Sequence, residues 1–534
     1  MFYVLLSNRT NENECMLDKT KEIILLKALE AEQHIKDVNI KSELINLPPE
    51  LRDGARVCKS PDESRGVIRQ LLVTGAVLIV TAACGMPIGY SAVLLPQLTN
   101  TTDPLELDIE MGSWIASIHS AATPIGSFAS GPIMDRWGRR TALLGSIMPL
   151  IGAWACIAQA PSHIWLLVGR VLAGTSVGLI CAPVQVYIAE IAEPSLRGAL
   201  IGAPFVAYSV GILIIYGLGY ALHWRAVAWC ATILPVISFV AIIFAPETPT
   251  WLIRHNLLAK ALQALTTLRG DEDKAKRELQ QLKMRYDRER ALMTVSSERF
   301  VNILKRRSVL KPLVIINFFN MLQVLSGVYL VIFYAVDIIR EFGGNVVSAE
   351  MAAVLTAIVR LAFTIIYCFL LMYTPRREMS IISGLGSGIA ATALAGVFFA
   401  NSNTDTMSDT TRCICAVLLV VYIGANTGYM VLPGIMVGEL LPAKIRGQVA
   451  GYIFCIFNIA LFIVAKGYPL IRDDLKTSGL FLIFGISSLI GVGLLYSVLP
   501  ETKGKALGAI EDYFMENDWL WAKRKFSSIR HEMT

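Results

Sequence analysis

Glu190-Ile191-Ala192-Glu193-Pro194-Ser195-Leu196-Arg197-Gly198 returns later in the chain as Glu439-Leu440-Leu441-Pro442-Ala443-Lys444-Ile445-Arg446-Gly447. Each copy closes a long apolar run with a glutamate, a proline and then Arg-Gly. The copies lie close to half the chain length apart, and a repeat at that period marks two homologous halves. Pro246-Glu247-Thr248 and Pro500-Glu501-Thr502 repeat at nearly the same interval.

The 534 residues are 54% hydrophobic and 17% charged, with mean hydropathy +0.55. A soluble chain carries about a quarter charged residues. Here the apolar residues gather in runs of about 20, each long enough to cross a bilayer as a helix. The chain therefore reads as an all-α polytopic membrane protein. The net charge of +6 includes no basic patch interleaved with aromatics, which argues against nucleic acid as a partner. Ten cysteines sit mostly in apolar runs, among them Cys84, Cys156, Cys181, Cys230, Cys368 and Cys455. Without CxxC or Cys/His spacing they read as small core residues, and no metal or cofactor is expected. The short Phe2–Leu6 run lacks a preceding basic region, so a cleaved signal peptide is not expected.

Twelve spans follow from the apolar runs, at about 70–97, 111–134, 142–160, 164–187, 198–220 and 226–245, then 312–339, 347–373, 379–400, 413–437, 447–470 and 478–499. The expected organisation is a tail at 1–68, a six-helix half at 69–246 and a charged helical linker at 247–311. A second six-helix half at 312–499 and a tail at 500–534 complete it. Arg136, Arg139, Arg140, Arg197, Arg376, Arg377, Lys444, Arg446, Lys503 and Lys505 fall in connections on the same face as both termini. The opposite loops are poorer in basic residues, so the termini and linker are expected in the cytoplasm. The sequon at Asn100 then lies outside, where it can be glycosylated, and that at Asn8 lies inside.

Within the spans, Gly169, Gly174, Gly178, Gly384, Gly386 and Gly388 read as close helix-packing positions. Arg170 reads as an interfacial anchor or a packing cation. The connection between spans two and three carries Asp135, Arg136, Arg139 and Arg140 in Gly131-Pro132-Ile133-Met134-Asp135-Arg136-Trp137-Gly138-Arg139-Arg140. Its second-half counterpart keeps Arg376 and Arg377.

Taken together, the 131–140 stretch, the doubled Glu-x6-Arg-Gly, and the two Pro-Glu-Thr segments (the last extended as Pro500–Lys505) resemble the sugar-porter family of the major facilitator superfamily. Gly89–Leu98 and Leu441–Gly447 look most like the facilitated trehalose transporters. The resemblance covers residues 70–515. It implies a carrier rather than an enzyme, with a small-molecule solute and the lipid bilayer as partners. A monomer in the plasma membrane is the default expectation.

The charges at the helix ends suit an inner gate. Asp135, Arg136, Arg139, Glu190, Arg197 and Glu247 belong to the first half, and Arg376, Arg377, Glu439, Arg446 and Glu501 to the second. Ion pairs there are expected to form when the halves close and to break when they open. Exposed pairs are worth only about 0–1 kcal/mol each, which suits two states of similar energy. Ordinary positive-inside anchoring is the alternative.

A sugar site lies near the midplane between such halves. The candidate contacts are Gln323, Asn458, Tyr329, Arg360 and Asn426. Gln323 keeps the family pattern of span seven, whereas Val324 and Tyr329 replace a glutamine and an asparagine. Phe205 stands where many hexose carriers have glutamine, and Gly434 where a tryptophan usually covers the sugar. Arg360, in mid-span eight, replaces a common asparagine. An intramembrane arginine costs roughly 2.5–3.5 kcal/mol, so it either anchors a substrate or is satisfied by carbonyls or by an acid such as Asp337. Ser91 occupies the position where proton-coupled relatives carry aspartate, so the expected transport is facilitative. The expected cargo is trehalose or a hexose. A carrier of small organic anions or amphipathic solutes, and a nutrient sensor that binds without transporting, are the alternatives.

Overall fold

Lipid offers no partner to a backbone N–H, so a chain this apolar must close its hydrogen bonds inside helices. The computed structural model describes residues 61–99, 105, 108–295, 307–340, 348–401, 408–441, 446–503, 510 and 513–514, and among them only helices and connections occur. Both sequons and nearly all of the two tails lie outside the described residues.

The first half comprises α1 (Pro61–Thr99), α2 (Ile109–Trp137), α3 (Arg139–Ala158), α4 (His163–Ile191), α5 (Pro194–Ala221) and α6 (Trp224–Ile243). Three polar helices follow: α7 (Pro249–Arg254), α8 (Leu258–Arg269) and α9 (Glu272–Val295). The second half contains α10 (Arg307–Leu325), α11 (Val328–Phe333), α12 (Ala335–Arg340), α13 (Ala349–Tyr373), α14 (Arg376–Ala400), α15 (Asp409–Leu440) and α16 (Arg446–Val498).

Nine described helices are long and apolar enough to cross a membrane on their own. Three departures bring the plan to twelve spans. Helix α2 is less apolar because serines and Thr123 line its buried side. All of these hydroxyls but that of Ser120 donate to carbonyls of the same helix, as Ser117 to Ser113 O at 2.7 Å and Thr123 to His119 O at 2.9 Å. The seventh span is broken into α10, α11 and α12. Its first break is at Gly327, whose φ of 80° favours glycine. The eleventh and twelfth spans run together as α16, interrupted at Lys476, where φ is 56°.

Two of the glycines read as packing positions, Gly174 and Gly178, do bring α4 onto α2. A side chain at either would run into the carbonyl oxygens of His119 and Thr123. The polar helices belong to the first half. Arg269 makes two 2.7 Å bonds to Glu278 and one of 3.0 Å to Ile191 O at the end of α4. Trp251 Nε1 donates to Asp135 O at 2.9 Å. The face that carries this linker is called the linker face below, and its opposite the far face.

Candidate functional site

The repeated motifs form the same construction twice on the linker face. Glu247 accepts from the backbone N–H of Arg139 at 2.9 Å and of Arg140 at 3.1 Å, capping α3. Glu501 accepts from Arg376 N and Arg377 N, both at 3.0 Å, capping α14. A carboxylate there meets unpaired amides and the positive end of the helix dipole. Arg139 then pairs with Glu190 at 3.2 Å, and Arg376 with Glu439 at 3.1 Å. Arg140 and Arg377 reach carbonyls on the last span of their own half, Ile242 O at 3.2 Å and Tyr496 O respectively.

Every one of these bonds stays inside one half. Asp135 is mostly exposed and contacts Arg139 at 3.4 Å. Arg136 is exposed and makes no ion pair among the described residues. The side chains of Arg197 and Arg446 lie outside the described ones. No described ion pair joins the halves on this face, so the pairs expected to cross the gate are here partnered within each half.

The halves meet along α2 with α16 and along α5 with α13. At the far face, Lys466 Nζ donates to Ser113 Oγ at 2.7 Å and sits 4.2 Å from the Trp114 ring centroid. Tyr216 OH donates to Ile332 O at 2.6 Å. Deeper in, Ser209 and Thr364 share a 3.3 Å hydrogen bond. Phe205 lies against Gly434, where a Cβ would come within 2.8 Å of the phenyl ring. The two departures from the family pattern are thus coupled: Phe205 fills the room a larger residue at 434 would need.

All five candidate contacts are buried, and Gln323, Tyr329 and Asn426 meet at the Gly327 break. Gln323 Nε2 donates to Tyr329 OH and to Met430 O, both at 3.3 Å. The break turns out Ser326 O, which accepts from Tyr422 OH at 2.5 Å and Asn426 Nδ2 at 3.1 Å. Asn426 Oδ1 accepts from Ser326 Oγ at 2.9 Å, so its amide holds the broken helix in place. Asn458 Nδ2 is bound to Phe454 O at 2.8 Å on its own helix. Arg360, 5% exposed, has an Nη1 that is buried without a partner. Its electrostatic neighbours include Tyr216, Tyr422, Tyr329 and Tyr208. Two of these tyrosines come from α5, so the cluster spans the seam. A cavity of about 240 Å³ opens next to Tyr216, walled by Gln97, Arg340 and Glu350.

One pairing in the first half has no counterpart in the candidate list. Arg170 is fully buried and donates from Nη2 to Ser91 Oγ at 2.5 Å and from Nε to Ile115 O at 3.0 Å, with a further bond to Pro87 O. It is therefore a packing cation that ties α4 to α1 and α2, not an interfacial anchor. Ser91 and Arg170 could not have been joined from sequence, because nothing in their separation says that α1 and α4 touch.

Two six-helix halves closing on a buried polar cluster at a broken helix define a membrane solute carrier of the major facilitator fold. The chain belongs to the sugar (and other) transporter family, whose profile matches residues 74–514. It is 30% identical over 451 residues to a facilitated trehalose transporter Tret1 of Polypedilum vanderplanki, covering 84% of this chain and 88% of that one. A Tret1 of Culex quinquefasciatus is 31% identical, with 80% and 83% covered. In fold, the chain resembles the proton:xylose symporter XylE of E. coli bound to 6-bromo-6-deoxy-D-glucose, with TM-score 0.69, 18% identity, and 84% and 99% covered.

Proposed function

We propose that this protein carries a sugar down its gradient by alternating access, with trehalose and hexoses as the first cargoes to test. The observation that carries this is the polar cluster buried at the Gly327 break and completed by α5 tyrosines. A solute held there touches both halves, so rocking one half against the other changes which face it can leave by. Facilitation rather than proton coupling is favoured by Ser91, a group without a titratable proton, occupying the pocket of Arg170. The relatives named facilitated trehalose transporters point the same way.

The linker-face clusters act, on this reading, as clamps that make each half a rigid unit. The seam on that face opens without breaking them. The positive-inside pattern favours cytoplasmic termini, with Asn100 on the outside. Labelled trehalose and glucose taken up into proteoliposomes test the proposal. Saturable uptake, lost in Gln323→Ala, supports it, and saturable binding without flux would identify a sensor instead.

A further inference from the structure

Among the described residues Arg360 makes no ion pair, and the groups in electrostatic range of it are tyrosines. Among the described residues its guanidinium makes no hydrogen bond, and Nη1 is fully buried. A charge held in a low dielectric is normally paired or reserved for a ligand. Tyr329 OH accepts from Gln323, so its own proton remains to be given. Tyr208, within electrostatic range of both Arg360 and Tyr329, has a hydroxyl with no partner among the described residues. Tyr216 and Tyr422 spend their protons on the carbonyls of Ile332 and Ser326. Two phenols with a proton to give therefore lie within electrostatic range of one buried, unpartnered cation. The side-chain oxygen of Gln323, bonded through its amide to Tyr329, accepts no hydrogen bond from the described residues, which suits it to a sugar hydroxyl.

We propose that Arg360, with Tyr329 and Tyr208, binds a carboxylate on the transported solute, so that the cargo is an acidic sugar of the hexuronate type. This rests on the reading of the chain as a sugar carrier and narrows it. A single cation is balanced by a monoanion, which favours a carboxylate over a doubly charged phosphate. A carboxylate accepts several donors at once, as this cluster offers them.

The test is equilibrium binding of labelled D-glucuronate, D-glucose and trehalose to the full-length protein in nanodiscs, followed by uptake into proteoliposomes. Glucuronate should bind about tenfold more tightly than glucose, as expected for a charge-assisted bond. Arg360→Asn should abolish that preference, and Arg360→Lys should keep part of it. Equal affinities, or a preference that survives Arg360→Asn, overturn the inference. Should Arg360→Asn fail to fold, Tyr208→Phe and Tyr329→Phe take its place, and a preference unmoved by both overturns it equally. Flux of neutral sugar without flux of glucuronate overturns this inference and leaves the carrier reading intact. A glucuronate preference in binding without flux of any sugar overturns the carrier reading and leaves the anion site standing.

Discussion

Arg170 and Ser91 are joined at 2.5 Å in the interior of the first half, a cation against a hydroxyl where a carboxylate would complete an ion pair. The arginine is kept by further carbonyl oxygens from α1 and α2, so the site holds its charge without a proton to exchange.

Uptake by the wild type should therefore change less than about twofold when an inward proton gradient is imposed. Ser91→Asp places a titratable group against Arg170 and should make uptake depend on external pH. Proteoliposome uptake at several external pH values measures both. Strong acceleration of the wild type by acid outside would refute the facilitative assignment.

The clamp pairs differ in worth by their burial. Arg139 is 3% exposed and Glu190 14%, whereas Asp135 is 64% exposed. Arg139→Met should cost about 3 kcal/mol, because it strands Glu190. Asp135→Asn should cost under about 1 kcal/mol. Adding Glu190→Gln to Arg139→Met should recover part of the loss. Thermal unfolding in detergent reads these variants beside the wild type and the Glu190→Gln single variant, and independent, additive effects for Arg139 and Glu190 would dissolve the pair.

Phe205 and Gly434 form a packing couple across the seam. Gly434→Trp alone should abolish uptake, since overpacking a filled interior costs about 1–3 kcal/mol and blocks closure. Phe205→Ala in the same chain should restore uptake in part. Uptake counts with matched protein levels decide it. Equal loss in the single and double variants would show that the two positions are not coupled.

Lys466 holds the far-face end of the seam through Ser113 and the Trp114 ring. Lys466→Met keeps the stem and removes the bonds. It should raise reaction of a cysteine placed at Met111 with an impermeant thiol reagent added on that face severalfold. An unchanged labelling rate would mean that the contact does not bear on opening of this face.

The helices and the doubling of the chain were legible because both are local or periodic properties. Runs of lipid-facing side chains mark the spans, and Glu190 and Glu439 announce the repeat by their shared neighbours. Nothing in the sequence of the seventh span sets Gly327 apart, since an apolar run gives no sign of a single left-handed φ. The direction of the clamps was also hidden. A glutamate at a helix end can reach an arginine in its own half or the other, and only the placement of Arg139 and Arg376 decides. Likewise Phe205 and Gly434 were each visible as departures, while their mutual fit needs the packing of α5 against α15.

Glu247 and Glu501 each finish their six-helix unit without help from the other. Arg269 fastens the polar helices to the first of them. Each half thus carries its own fastenings and only a seam joins them. Two separate polypeptides, divided between Val295 and Arg307 and made together in one cell, should assemble into a working carrier.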